Sequence, residues 1–287
     1  MVYCATWTAN NADIGKKRSA LLDELTYVDD VYRTPPRSLS LAARAMPSFT
    51  FYCHAFMIVW RASSLAKRGL YKTAEWCGSS LATLRALEQV GVDLEITGTG
   101  SFRALDGPCV FVANHMSTLE TFILPTIISQ FKDATFVVKQ SLVDYPVFKH
   151  VMRSRDPITV GRSNPRDDLK AVLEGGAERL KTGRSIVIFP QTTRTPVFDP
   201  GSFNTIGVKL AKKAGVPVVP IALKTDAWSN GRILKDYGRI VPSRRVHFAF
   251  GKPMLIKDRG TEEHTAIIEF IRGKLKDWEE ESRVAVE

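Results

Sequence analysis

The most reactive arrangement in this 287-residue chain is Phe111-Val-Ala-Asn-His115-Met-Ser-Thr-Leu-Glu120, a histidine at the end of a short apolar run with a carboxylate five residues later. An imidazole takes a proton near neutral pH when its second nitrogen is held in one tautomer. A carboxylate bonded to that N–H fixes the tautomer and steadies the cation that forms. Five residues apart on one ideal helix, the two side chains point well away from each other. The pair therefore works only with His115 on a loop and Glu120 in the first helical turn. A second reading needs no chemistry, because Ser117-Thr-Leu-Glu120 is also an S-x-x-E capping box. The same spacing recurs at His264-Thr-Ala-Ile-Ile-Glu269, inside what reads as a surface helix. Both readings stay open at this level.

The elements around this junction decide where it can sit. From about residue 92 onward, apolar runs that read as strands (92–97, 110–113, 134–138, 158–160, 185–189, 216–223 and 246–250) are separated by helical stretches. Pro165–Lys181 has Pro at its start and Gly183 after its end, as helices prefer. Such alternation predicts an α/β fold with a largely parallel mixed sheet covered by helices on both faces. Reactive groups in such folds lie on loops beyond the strand ends. Upstream, residues 1–37 read as a polar tail ending in Arg33-Thr-Pro-Pro-Arg37. Residues 38–91 read as helical and membrane-associating, and residues 92–287 as the α/β domain. The apolar run 45–60 (AMPSFTFYCHAFMIVW) carries no charge between Arg44 and Arg61. At 16 residues, with Pro47 and His54 inside, it is short of the roughly 18 to 20 that a spanning helix needs. Residues 62–90 continue as a helix with an apolar side.

Composition excludes several classes. Hydrophobic residues at 44% and charged residues at 24% rule out disordered and collagen-like chains. Cys4, Cys53, Cys77 and Cys109 lie far apart without metal-ligand spacing, and are expected to be small buried residues in a reducing compartment. No metal or bound cofactor is expected. No basic start, apolar core and small-residue cleavage site opens the chain, so export is not expected. There is no G-x-S-x-G, H-E-x-x-H or P-loop pattern, and Gly98-Thr-Gly100 is only a turn. The formal charge of +10 is concentrated: residues 101–260 hold 25 Lys+Arg against 13 Asp+Glu. That field attracts nucleic acid, anionic bilayers or phosphates. No helix-turn-helix, RNP or zinc-finger pattern accompanies it, and the apolar run beside it favours a membrane over nucleic acid.

Four blocks in order carry a resemblance: Asn114-His115-x4-Glu120, the arginine of Ile158-Thr-Val-Gly-Arg162, Phe189-Pro-Gln-Thr-Thr-Arg194, and the run from Gly215 to Leu223. Over roughly residues 92–255 the chain resembles the glycerophospholipid acyltransferase family, typified by 1-acylglycerol-3-phosphate acyltransferases. The resemblance implies His115 and Glu120 as the catalytic pair. It also implies Arg194 and Arg162 as binders of an acceptor phosphate, with Gln191, Thr192 and Thr193 beside them. The acyl donor would be a thioester, acyl-CoA or acyl carrier protein, and the acceptor a lysophospholipid met at the cytoplasmic face of an anionic membrane. The chain departs from the family pattern at Glu120 (family Asp) and at Gln191-Thr192 (family Glu-Gly). It departs again at Phe198-Asp-Pro-Gly201, where a family lysine is replaced by Asp199. Those departures keep two alternatives open: a lysolipid with another head group, as Asp199 hints, or a silent lipid-binding protein.

Overall fold

The computed structural model describes residues 25–146, 148–191, 193–231 and 235–284. Among them, eight strands form one sheet: β1 (Val31–Arg33), β2 (Leu94–Thr97), β3 (Val110–Ala113), β4 (Ala134–Lys139), β5 (Ile158–Val160), β6 (Ser185–Ile188), β7 (Val218–Lys224) and β8 (Val246–Phe250). Their order across the sheet is β1-β2-β8-β7-β3-β6-β4-β5. Pairing is parallel except at β1–β2 and β7–β8. β3 is central, with Phe111 opposite both Val187 of β6 and Val219 of β7.

Strands buried on both faces read as unbroken apolar runs, and their alternation sorts side chains into two cores. Phe111, Ala113, Val187, Val219, Ile221 and Leu223 face one core, which also holds Phe51, Leu84, Leu87 and Ile123 from the helices on that side. Val110, Val112, Ile186, Ile188 and Val218 face the other, with Val172, Leu210 and Ile267. The first helical layer comprises α1 (Leu41–Ala45), α2 (Pro47–Lys67), α3 (Thr73–Gln89) and, after the short α4 (Gly100–Arg103), α5 (Leu119–Ile128). After the short α6 (Gln140–Asp144) and α7 (Phe148–Ser154) come α8 (Pro165–Lys181), α9 (Ile206–Ala214) and α10 (Thr261–Val284), which form the second layer.

Three sequence expectations are corrected. Residues 62–90 are not one helix. At Gly69, with φ +71°, the chain takes a left-handed turn closed by Gly69 N–H to Ala66 O (3.1 Å) and Leu70 N–H to Leu65 O (3.0 Å), so α3 folds back along α2. The polar tail holds a strand, β1, because pairing with β2 supplies the backbone partners its own composition does not advertise. Cys53 is exposed on α2, whereas Cys77 and Cys109 are buried as expected; Cys4 lies outside the described residues.

One detail fixes α5, which begins just after the reactive histidine. Pro125 removes a hydrogen bond inside that helix. Ser80 of α3 repairs the break: Thr126 N–H donates to its hydroxyl (2.9 Å), and the hydroxyl donates to Phe122 O (2.5 Å). The helix that carries the acid is thereby tied to its neighbour in the same layer.

Candidate active site

The C-terminal ends of β3, β5, β6 and β7 bring the singled-out residues to one edge of the sheet. His115 leaves β3 on a loop, and α5 starts at Leu119, so Glu120 sits in its first turn. The spacing that fails on a continuous helix succeeds here, with His115 Nδ1 2.9 Å from Glu120 Oε1. Glu120 is fully buried. Its Oε1 also accepts from the N–H groups of Met116 (2.7 Å) and Ser117 (2.9 Å). Its Oε2 accepts from the Thr225 hydroxyl (2.6 Å) and the Ser117 hydroxyl (3.0 Å). Burial pushes the Glu120 pKa up. The hydrogen bond and charge of His115, with the Thr225 and Ser117 donors, outweigh it and hold the carboxyl below its usual value. An ionised carboxylate only accepts, so the proton sits on Nδ1 and Nε2 carries the basic lone pair.

The two readings of this segment therefore meet at Glu120. It reaches back to the Ser117 N–H as the acid of a capping box does, and the same oxygen holds the imidazole. The box itself is not formed: the N-cap is Thr118, without a side-chain cap bond, and the Ser117 hydroxyl accepts the Leu119 N–H instead. At His264 and Glu269, both inside α10, nothing comparable occurs: Glu269 pairs with Arg272 at 3.0 Å and His264 stacks on Phe203.

Around the pair, Asn114 staples β3 to β7 through Nδ2 to Leu223 O and Leu223 N–H to Oδ1, both 2.8 Å. Gln191 accepts the His115 N–H at 2.8 Å. Because that donor can meet only the amide oxygen, the Gln191 NH₂ faces the other way, buried and without a partner among the described residues. Phe189 stacks on the imidazole at 4.3 Å. Ser117 is 1% exposed and its hydroxyl is spent on Glu120 and Thr225.

His115 opens onto a cavity of about 1450 Å³ whose wall includes Trp76, Phe122, Phe136, Val138 and Phe189. This exceeds the ~300–1,000 Å³ usual for a small-molecule pocket and suits a long apolar ligand. Gln191, Arg194 and Arg162 lie on the same wall. Arg194 Nη1 is 2.7 Å from Asp236 Oδ1 and also donates to the Thr118 hydroxyl. Arg162 sits at φ +61°, its N–H bonded to Asp168 Oδ2 at 2.9 Å. Partial desolvation, opposed by Asp168 and reinforced by the charge of Arg194, draws its pKa below the usual value. The two arginines thus share one region.

Not every expected residue comes with them. Thr193 is exposed and stands outside the cavity wall, and Thr192 lies outside the described residues. Asp199 does not face the cavity either; it caps the Pro200–Ser202 turn by accepting the Gly201 N–H at 2.9 Å. Two residues escaped the sequence reading. Thr225 is the first residue past β7, and its place at a central strand's C-terminal end was a usable signal. Asp236 lies in an irregular loop with no pattern to mark it.

Residues 93–224 match the family model described as acyltransferase. A 1-acyl-sn-glycerol-3-phosphate acyltransferase of Pseudomonas aeruginosa is 36% identical over 147 residues, 51% of this chain and 54% of that one. A chloroplastic 1-acyl-sn-glycerol-3-phosphate acyltransferase of Brassica napus is 33% identical over 129 residues, 45% of this chain and 36% of that one. The match to this chain thus spans about half the length, or less, of these curated relatives. Among solved structures, the 1-acyl-sn-glycerophosphate acyltransferase PlsC of Thermotoga maritima shares the fold, with a TM-score of 0.61 at 19% identity over 82% of this chain and 96% of that one. Residues 93–224 thus resemble the acyltransferase family, and this part of the chain is similar to the 1-acyl-sn-glycerol-3-phosphate acyltransferases.

Proposed function

We propose that the protein moves a fatty acyl group from an acyl thioester, acyl-CoA or acyl carrier protein, to the hydroxyl of a lysophospholipid such as 1-acylglycerol-3-phosphate, making phosphatidic acid. The observation that carries this reading is the buried Glu120–His115 pair opening on a large apolar cavity that also exposes Arg194 and Arg162. His115 Nε2 takes the acceptor's proton as its oxygen attacks the thioester carbonyl. Glu120 holds the imidazolium that forms. Collapse of the tetrahedral intermediate breaks the C–S bond, and the imidazolium returns the proton to the leaving sulfur. No metal enters these steps. No acyl-serine is invoked, since Ser117 is buried and its hydroxyl is engaged. The steady-state test is thiol release from each thioester, with and without lysophosphatidic acid. Release that does not depend on acceptor would contradict the proposal.

Arg194 is the proposed phosphate clamp. A charge-assisted bond is worth about 1.5 to 3 kcal/mol, so Arg194→Ala should lower kcat/KM for lysophosphatidic acid about ten-fold or more. Arg194→Lys should also weaken it, since the planar fork is lost. A monoacylglycerol, without phosphate, should suffer much less. Equal losses on both acceptors would make Arg194 a support of the fold.

We further propose that residues 38–91, whose helices also pack against the sheet, associate with the cytoplasmic face of a membrane. No helix among the described residues is long and apolar enough to cross a bilayer. On α2, however, Phe49, Cys53, Phe56 and Trp60 recur at helical spacing and are exposed, Phe56 by 68% and Trp60 by 60%. Arg44 and Arg61 flank this stripe, a combination suited to the bilayer interface. The same helix lines the cavity through Tyr52, Ala55 and Val59, and Phe49, Cys53 and Phe56 of the stripe border it too. Replacing Phe49, Phe56 and Trp60 together by serine should leave the fold intact and release the protein from anionic vesicles in flotation. High salt alone should release the unaltered protein only partly, because apolar burial is unscreened. Flotation unchanged by the triple substitution would contradict this placement.

A further inference from the structure

Arg194 is not alone at the head-group end of the cavity. Two carboxylates line the cavity among the described residues, and they are used differently. Asp168 gives both oxygens to backbone N–H groups, of Gly161 (2.8 Å) and Arg162 (2.9 Å). Asp236 uses one: its Oδ1 meets Arg194 Nη1 at 2.7 Å and accepts from the Thr118 hydroxyl at 3.2 Å. Among the described residues its Oδ2 has no hydrogen bond or ion pair, and the side chain is 49% exposed. The residue is anchored from behind, where Trp228 Nε1 donates to its backbone carbonyl at 3.2 Å.

Tyrosine rings gather beside this carboxylate. Tyr237 and Tyr52 lie 5.8 Å apart, and Tyr52 donates to Gly238 O at 2.6 Å. Burial, then the charges of Tyr145 and Asp236, push the Tyr237 pKa up. Tyr52, Tyr145, Asp236 and Tyr237 all line the cavity. A carboxylate sharing a cavity wall with aromatic rings attracts an ammonium group, while the adjacent guanidinium attracts an anion. A bare phosphate monoester meets a different situation there. It must compete with Asp236 for Arg194 and bring a second negative charge against the carboxylate.

We propose that Asp236, with Tyr237 and Tyr145, forms an ammonium subsite, so that the favoured acceptor carries a cationic nitrogen beside its anionic group. The inference rests on the acyl-transfer reading above and narrows its head group. Asp236 is then a specificity-determining residue, doing what sequence alone had pointed to Asp199 for.

The test measures initial rates of the full chain with one acyl-CoA and three acceptors of equal chain length. Lysophosphatidylethanolamine carries anion and ammonium, lysophosphatidylglycerol the anion without ammonium, and lysophosphatidic acid the monoester. The unaltered protein should favour the ethanolamine acceptor over the glycerol one by about ten-fold in kcat/KM, the size of one charge-assisted contact. Asp236→Asn should erase that preference by raising KM for the ethanolamine acceptor with kcat little changed, and should improve use of lysophosphatidic acid. Asp236→Glu should retain part of the preference. Equal losses on all three acceptors in Asp236→Asn would mean that the residue merely holds Arg194, and would overturn the subsite. So would transfer without preference in the unaltered protein. Transfer to no acceptor at all, from acyl-CoA and from acyl carrier protein alike, would defeat the acyl-transfer reading itself, and the subsite with it.

Discussion

Glu120→Gln is expected to lower kcat for acyl transfer by about 10² to 10⁴-fold, the range for impairing a general base, while the protein still folds. The carboxylate is fully buried and takes five donors, so the substitution is not neutral for stability. An amide oxygen facing His115, Met116 and Ser117 N–H can keep those bonds. The NH₂ then faces the Thr225 and Ser117 hydroxyls, which can rotate to accept. We therefore expect a loss of about 1 to 3 kcal/mol, the cost of an imperfectly satisfied buried group, rather than unfolding. What glutamine cannot supply is the charge that steadies the imidazolium. The acid limb of stability should change as well. Because the folded-state pKa of Glu120 is depressed, its contribution is present above the unfolded carboxylate range and is lost as pH falls through the folded value. Thermal melts from neutral to acid pH should show Glu120→Gln losing part of that dependence. Wild-type turnover in a folded Glu120→Gln protein would leave Glu120 as a capping residue only.

His115→Ala should do more to activity, and it should also cost stability. The ring stacks on Phe189 and is the main partner of the fully buried Glu120 carboxylate, so its removal leaves that charge less compensated and costs stability as well. Among the described residues no other imidazole lines the cavity. Loss of the base should lower kcat/KM by at least about 10² to 10⁴-fold, in protein whose melting temperature is lowered but which is still folded at the assay temperature. Added imidazole should restore part of the rate, which a purely structural role would not allow. Activity within a few-fold of wild type, in folded protein, would move the weight to a lipid-binding role.

The sequence made the central sheet legible because doubly buried strands have little choice but to be short apolar runs, and 110–113 and 246–250 coincide with β3 and β8. It made His115 and Glu120 legible because loop and first turn are adjacent in the chain. Their support was less legible. Thr225 lies 105 residues from Glu120 and reaches it only because β7 runs beside β3. Asp236 lies on a loop where no periodicity operates, so its charge could not be assigned to the pocket, whereas Asp199 drew notice by its place in a motif and is spent on a turn. The short helices α6 and α7 passed unnoticed because five to seven residues carry too little periodicity to register.

Direct transfer, with His115 as base and no acyl-protein, is the central claim, and rapid mixing tests it most directly. Purified protein would be mixed with stoichiometric acyl-CoA, first alone and then with lysophosphatidylethanolamine or lysophosphatidic acid, while free thiol and intact protein mass are followed. The account predicts no thiol burst and no acyl adduct until the lysolipid is added, and thereafter one diacyl product for each thiol released. A stoichiometric burst without acceptor, with an acyl group left on the protein, would contradict it.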